Sequence, residues 1–152
     1  MSEITLEAIE AKQTELVALI AKYKADAPRI LTIPAITIEL LAGEHYAGAV
    51  LNADGSVDHH TVLMAARTTK DGDWQQQMDW AANLGGDLPS PEEASLIFAN
   101  CKAYVPHRWH WTNRPYETDA SYAWYCYFNS GGQNYTDKSA KGAGVAVRRL
   151  KP

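Results

Sequence analysis

Residues 110–150 read HWTNRPYETDASYAWYCYFNSGGQNYTDKSAKGAGVAVRRL, and this stretch decides the fold and the function class of the chain. It is rich in Trp, Tyr, Asn, Ser and Gly, and its apolar residues do not recur with a helical period. Rigid rings supply contact area at a low cost in entropy, and small polar groups supply adaptable hydrogen bonds. The stretch therefore predicts strands and turns that build a recognition surface. An aromatic β core with polar turns is the alternative.

The most regular part of the stretch is Tyr122–Phe128, whose side chains alternate as they do in a strand. We predict that one face is buried in the core and that the other lies on the sheet surface or at a second interface. The predicted core face holds Trp124, Cys126 and Phe128, and the outward face holds Tyr125 and Tyr127. Residues 129–132, NSGG, predict the turn that follows.

Two helices are predicted before this stretch. Asp73 is the expected N-cap of the first, and Ser90 is the expected N-cap of the second. Ser90 is followed by Pro91 at the first helical position and by Glu93 at the third, which forms a capping box. The adjacent carboxylates Glu92 and Glu93 are therefore explained by helix capping rather than by catalysis.

Strands are predicted before these helices, at residues 45–51 and 59–65, joined by a hairpin turn at Asp54-Gly55. His59 and His60 are interpreted as ordinary strand histidines, because their neighbours have no spacing typical of a metal site. The order of elements is helix, strands, two helices, strands. It predicts an α+β fold in which the helices are segregated from an antiparallel sheet.

Residues 3–25 predict a long amphipathic helix that Ser2 or Thr5 caps and that ends before Pro28. Its apolar residues follow a heptad, with Leu6, Gln13 and Ile20 at a and Ile9, Leu16 and Tyr23 at d. A polar residue at an a position, here Gln13, can specify the register and the oligomeric state of a coiled coil. We expect these six residues to drive self-association; packing on the helix's own domain is the alternative.

Three segments follow from these patterns: residues 1–27 as an oligomerisation helix, 28–44 as an extended β linker and 45–152 as the main domain. In the linker, Ile36, Ile38 and Leu40 alternate with polar residues and predict a half-buried strand.

Composition excludes several function classes for this chain of 152 residues. Its net charge of −4 argues against binding nucleic acid, which needs a basic face. No apolar run approaches the ~20 residues of a membrane span, and the N-terminus has no secretory signal pattern, so neither insertion nor export is expected. Cys101 and Cys126 have no metal or redox spacing, and we expect free, buried thiols; a disulfide between them is the alternative.

Several segments together resemble C-type lectin-like domains. DWQQQMDWAANLGGDL, residues 73–88, resembles the first helix and the turn after it, and PSPEEASLIFANC, residues 89–101, resembles the second helix. With HWTN, AWYCYF, YTDKS and VAVRRL, the resemblance extends over residues 40–150 to a branch of uncharacterised phage and bacterial domains related to the C-terminal domain of collagen-like adhesins. It implies a fold of two helices against antiparallel sheets and a loop-and-strand surface that binds sugars or proteins.

The sequence departs from the calcium-dependent lectins and from the enzymes with this broad fold. Asn113-Arg114-Pro115 has Arg where a calcium ligand is wanted, and the Trp-Asn-Asp element is missing, so we expect no metal and no cofactor. Formylglycine-generating enzymes need a reactive cysteine pair, whereas Cys101 and Cys126 fall on predicted core faces.

We therefore expect a non-catalytic phage-type recognition protein, a tail-fibre or virion-associated module that binds a cell-surface glycan or protein. The resemblance implies a homotrimer located in the virion. The alternative is an effector in the host cytoplasm that binds and inhibits a host protein. The expected ligand contacts are Arg108, Arg114, Tyr116, Tyr125, Tyr127, Asn129, Asn134 and Tyr135.

Overall fold

A computed structural model describes residues 3–152 of the chain. Its helices are α1 (Leu6–Asp26), α2 (Trp74–Asn83) and α3 (Pro91–Cys101), with a 3₁₀ turn at Lys102–Tyr104. Its strands are β1 (His45–Leu51), β2 (Val57–Arg67), β3 (Trp109–Pro115), β4 (Tyr122–Tyr127), β5 (Gly132–Asp137) and β6 (Val145–Leu150). The chain divides into two units, the first ending at Thr32 and the second spanning Ile33–Pro152.

The first unit contains α1, which matches the predicted N-terminal helix. Thr5 is its N-cap and accepts a hydrogen bond from the Ala8 N–H at 3.2 Å; Ser2, the other candidate cap, lies outside the described residues. The helix ends at Asp26, and Ala27 has an extended backbone because it precedes a proline. Every residue from Leu6 to Asp26 is exposed. Among the described residues, no helix combines the length and apolar character needed to span a membrane.

The strand predicted for residues 36–40 does not form. Residues 28–41 have no regular secondary structure, and Ile36 and Leu40 are 40% and 44% exposed. Alternation determines which side chains share a face, but a strand also needs a neighbour to hydrogen-bond with. Within residues 3–152, no strand pairs with this segment.

The second unit contains two antiparallel sheets of three strands, in the orders β1-β2-β6 and β3-β4-β5. The predicted hairpin at Asp54-Gly55 joins β1 and β2, with Gly55 in the left-handed region at a φ of +88°. The mixture of helices and antiparallel sheets confirms the α+β class.

Both predicted capping residues of the second unit are confirmed. Asp73 and Gln76 form a capping box at the start of α2. Ser90 and Glu93 form another at the start of α3. Gly85, at a φ of +78°, follows the end of α2 and supplies a backbone conformation that other residues rarely adopt.

Two clusters of buried side chains form the core. The first joins α3 to both sheets; its members are Ala47, Leu63, Ala94, Ile97, Cys101, Val105, Cys126, Phe128, Val145 and Val147. The second consists of Ala81, Leu88, Trp111, Ala123 and Ala146, against which Trp74, Met78, Trp109 and Tyr125 pack. Cys101 and Cys126 are both buried and free, as predicted.

The predicted division of β4 into a core face and an outward face is only partly right. Cys126 and Phe128 are buried, as expected, but Trp124 is only half-buried. Tyr125, expected on the surface, packs against the second core cluster. The sheet β3-β4-β5 contributes to core on both faces, so strict alternation cannot separate core from solvent.

Candidate recognition surface

Four aromatic side chains lie together on one face of the sheet β3-β4-β5, and we call Tyr116, Tyr122, Trp124 and Tyr135 the aromatic cluster. The rings of Tyr116 and Tyr135 stack with centroids 3.8 Å apart and planes 15° apart. The Trp124 ring stands nearly perpendicular to Tyr135, at 5.5 Å and 76°, and Tyr122 does so at 6.0 Å and 70°. The two perpendicular contacts have the edge-to-face geometry that aromatic rings prefer.

The register of the strands brings the cluster together. Trp124 on β4 lies directly opposite Tyr135 on β5, and Tyr122 lies on the same face two residues earlier. Tyr116 follows β3, where its N–H donates to the carbonyl oxygen of Tyr122 at 2.9 Å. Further along this face, Cys126 is covered by the core around α3. The aromatic cluster is the part of the face that remains partly open, with Tyr135 40% exposed.

Polar groups surround the cluster. The indole N–H of Trp124 donates to both carboxylate oxygens of Glu117, at 3.1 and 3.3 Å. Arg114 donates to Glu92 at the start of α3 through two hydrogen bonds of 2.8 Å each. These hydrogen bonds lower the pKa of Glu92 and raise the pKa of Arg114. The positive charge of Arg114 is therefore balanced by Glu92 at this surface.

The hydroxyl of Tyr135 is held in its neutral form. Hydrogen bonding to the Tyr116 side chain raises the pKa of Tyr135 above its ordinary value. At neutral pH Tyr135 therefore offers a protonated hydroxyl, which both donates and accepts hydrogen bonds, beside the ring faces.

The structure brings only some of the predicted contact residues together. Tyr116 and Tyr135 stack in the cluster, and Asn134 is exposed beside Tyr135. Arg114 is close enough to Glu117 for that carboxylate to add to the rise in its pKa.

The other predicted contacts lie elsewhere. Tyr125 faces the second core cluster, where its ring lies 5.2 Å from that of Trp109. Tyr127 is 38% exposed at the other end of β4, and Arg108 forms an ion pair with Asp71. Asn129 is exposed after β4.

Sequence reasoning missed three residues of this surface: Tyr122, Trp124 and Glu117. Trp124 was assigned to the core by alternation. The strand register that exposes it depends on how β5 pairs with β4, which periodicity does not reveal. The one available signal for Glu117 was its place in a polar turn between two aromatic residues.

The paired carboxylates at the start of α3 are both engaged. Glu92 binds Arg114 at the surface, whereas Glu93 is fully buried. Glu93 accepts hydrogen bonds from Arg149 at 2.7 and 2.9 Å, from Thr61 at 3.1 Å and from the Ser90 N–H at 2.9 Å. Burial opposes ionisation of Glu93, but the hydrogen bonds outweigh it and its pKa is lowered. This arrangement suits a structural anion rather than a proton-transfer group.

The adjacent histidines have separate partners. His59 contacts Asp58 at 2.6 Å and Glu93 at 3.3 Å, and His60 hydrogen-bonds to the Tyr46 hydroxyl at 2.8 Å. Each side chain is therefore accounted for by the fold, which agrees with their interpretation as strand histidines.

The two thiols are shielded from reaction. Burial raises the pKa of Cys126 to about 11 and raises the pKa of Cys101 above its ordinary value. A thiolate is scarce at either position at neutral pH. No family model matches the chain, and no curated protein matches it.

Proposed function

We propose that this chain is a non-catalytic recognition protein of the phage type, a tail-fibre or virion-associated module that binds a cell-surface glycan or protein through the aromatic cluster. We further propose that the unit Ile33–Pro152 has a C-type lectin-like fold. Two short helices beside two antiparallel three-stranded sheets support this assignment. The phage context rests on the sequence resemblance.

The observation that carries the proposal is an aromatic surface that remains partly open while its side chains are held in place by one another and by Glu117. The indole N–H of Trp124 donates a hydrogen bond to Glu117, and the rings of Tyr116 and Tyr135 stack on each other. Such side chains are pre-organised, so a ligand that covers them gains contact area with little loss of side-chain entropy.

We propose no catalysis, because the thiols and carboxylates that could react are buried or bound to other side chains. Cys101 and Cys126 are buried with raised pKa values. Glu92 forms an ion pair with Arg114, and Glu93 forms an ion pair with Arg149. Each of these groups has a structural explanation.

We also propose that the protein works as a homo-oligomer, with a trimer as the form that the resemblance implies. The heptad side chains support this, because they are exposed along α1: Leu6 is 67%, Leu16 is 58% and Tyr23 is 77% exposed. Several weak sites presented together bind with avidity that one site lacks.

The test compares Tyr116→Ala combined with Tyr135→Ala against Tyr104→Ala, another exposed tyrosine, which stacks on His45 instead. Binding to a glycan array and to intact bacterial cells is measured along with the melting temperature. We expect the double variant to lose about tenfold or more in affinity, because buried aromatic contacts are typical hot spots. Binding that survives the double variant contradicts the proposal.

A second measurement separates the virion role from the intracellular alternative. A virion component is present in purified phage particles, whereas an effector that blocks a host protein is found only in infected cells. Detection of the chain in particles by mass spectrometry is the expected result.

A further inference from the structure

Strand β5 forms a free edge of the sheet β3-β4-β5 in the described part of the chain. The N–H of Tyr135 donates to the side-chain Oδ1 of its neighbour Asn134 at 2.8 Å. This N–H therefore points away from β4, and the period of an antiparallel ladder turns the backbone groups of Gln133 and Asp137 the same way. The edge displays a row of backbone donors and acceptors, and one donor is covered by a side chain of the same strand.

The aromatic cluster lies directly beside this edge. Tyr135 belongs to the edge strand itself, and Trp124 is its cross-strand partner. A strand that pairs with β5 would place every second side chain on the face that carries these rings. A bound strand could therefore pair with the backbone of β5 and contact the aromatic cluster with its side chains at the same time.

The surroundings of the cluster are acidic. Glu117 binds the Trp124 indole, and hydrogen bonds within their own turns lower the pKa values of Asp119 and Asp137, so both are ionised at neutral pH. The nearby cations are engaged elsewhere. Arg114 is balanced by Glu92, and the Lys138 ammonium lies 4.3 Å from the centroid of the Trp74 ring. Ring faces and ionised carboxylates together attract a cation.

We propose that β5 binds an extended peptide by β-augmentation, and that Lys or Arg side chains at alternate positions of that peptide lie over Tyr135 and Trp124 near Glu117. Asn134 acts as a removable cap, which satisfies the Tyr135 N–H until the peptide backbone replaces it. Covering an edge donor in the free protein also reduces edge-to-edge aggregation. This inference rests on the proposed function, since it selects a protein segment as the ligand of the aromatic cluster.

The test titrates the full chain with acetyl-Lys-Val-Lys-Val-Lys-Val-amide and follows the backbone amide signals by NMR. The comparison peptides are acetyl-Glu-Val-Glu-Val-Glu-Val-amide and two versions of the basic peptide, N-methylated at every second residue in either register. We expect the basic peptide to shift the amide signal of Tyr135, one N-methylated version to fail, and the acidic peptide to leave the spectrum unchanged.

Two variants sharpen the test. Asn134→Ala removes the competing hydrogen bond and should tighten basic-peptide binding about 3- to 10-fold. Glu117→Gln should weaken it about threefold or more through the loss of one charge. Asn83→Ala, which alters an exposed Asn at the end of α2, serves as the control and should change nothing.

The inference is overturned if the basic peptide at about 1 mM leaves the Tyr135 amide unmoved, or if both N-methylated versions bind as well as the parent. The proposed function has its own outcome. If glycan or cell binding still depends on Tyr116 and Tyr135, the aromatic cluster remains the recognition surface and only the peptide class is wrong.

Discussion

The six a and d residues of the α1 heptad form its seam, and truncating two of them, Ile9→Ala together with Leu16→Ala, should dissolve the proposed oligomer. Both side chains occupy d positions of the heptad, and they are 53% and 58% exposed in the single chain. Alanine has a higher helix propensity than either residue. A loss of assembly therefore cannot be attributed to a loss of intrinsic helix stability.

The size of the effect follows from these exposures. Burying a whole Leu or Ile side chain contributes ~1.5–3 kcal/mol, and about half of each side chain is still open, so assembly gains roughly 1 kcal/mol per side chain. The cavity left by truncation adds about as much again. Two positions in each chain of a trimer thus remove on the order of 10 kcal/mol. An association with a micromolar Kd is driven by ~8 kcal/mol in total.

Sedimentation equilibrium at several protein concentrations measures the outcome, and circular dichroism checks the helix. The matched control is Thr14→Ala with Glu15→Ala, which changes two neighbouring positions outside the seam. We expect the control to keep the mass of the full chain and the seam variant to sediment as a monomer. A chain that starts at Pro28 should also be monomeric. If the seam variant keeps the oligomeric mass, the coiled-coil reasoning is wrong.

Three further predictions concern the second unit. Glu93→Ala should destabilise folding by about 3 kcal/mol, because it removes the buried carboxylate that Arg149 and Thr61 bind and leaves Arg149 with Asp87 as its remaining acidic partner, whereas Glu92→Ala should cost about 1 kcal/mol or less; urea unfolding of both variants tests this. Burial lowers the pKa of His110 to about 4 in the folded protein, so the folded state binds fewer protons and stability falls as the pH drops from about 6.5 to about 4, by ~3 kcal/mol. His110→Asn should lack that part of the pH dependence in unfolding measurements. Iodoacetamide at neutral pH should modify native Cys101 and Cys126 far more slowly than the urea-unfolded chain, and rapid native labelling would restore an enzymatic role.

Local signals in the sequence predicted the parts of the fold that depend on nearby residues. The capping boxes at Asp73 and Ser90 and the hairpin at Gly55 each need only residues a few positions apart. The capping interpretation of Glu93 was also correct, but its partners Arg149 and Thr61 were not predictable, because they come from distant strands.

The candidate surface was predicted less well, because it depends on which strands pair and on what covers each face. Tyr125 was expected on the surface but packs against the core, and Trp124 was expected in the core but is only half-buried. The reason is that this sheet contributes to the core on both of its faces. The segment around Ile36 shows the same limitation. Its alternation was recognised, but the partner strand that the pattern requires is not found among residues 3–152.

The seam of α1 and the aromatic cluster differ in chemistry, and the difference fits the separate uses proposed for them. The seam of α1 carries mainly aliphatic side chains such as Leu16 and Ile20, which gain only from burial against a similar apolar surface. The aromatic cluster instead carries polar atoms beside its rings, and one of them, the Trp124 indole N–H, donates to the neighbouring Glu117. Such a surface tolerates water in the free protein and still offers ring faces to a ligand. Permanent assembly therefore fits the seam, and reversible recognition fits the cluster.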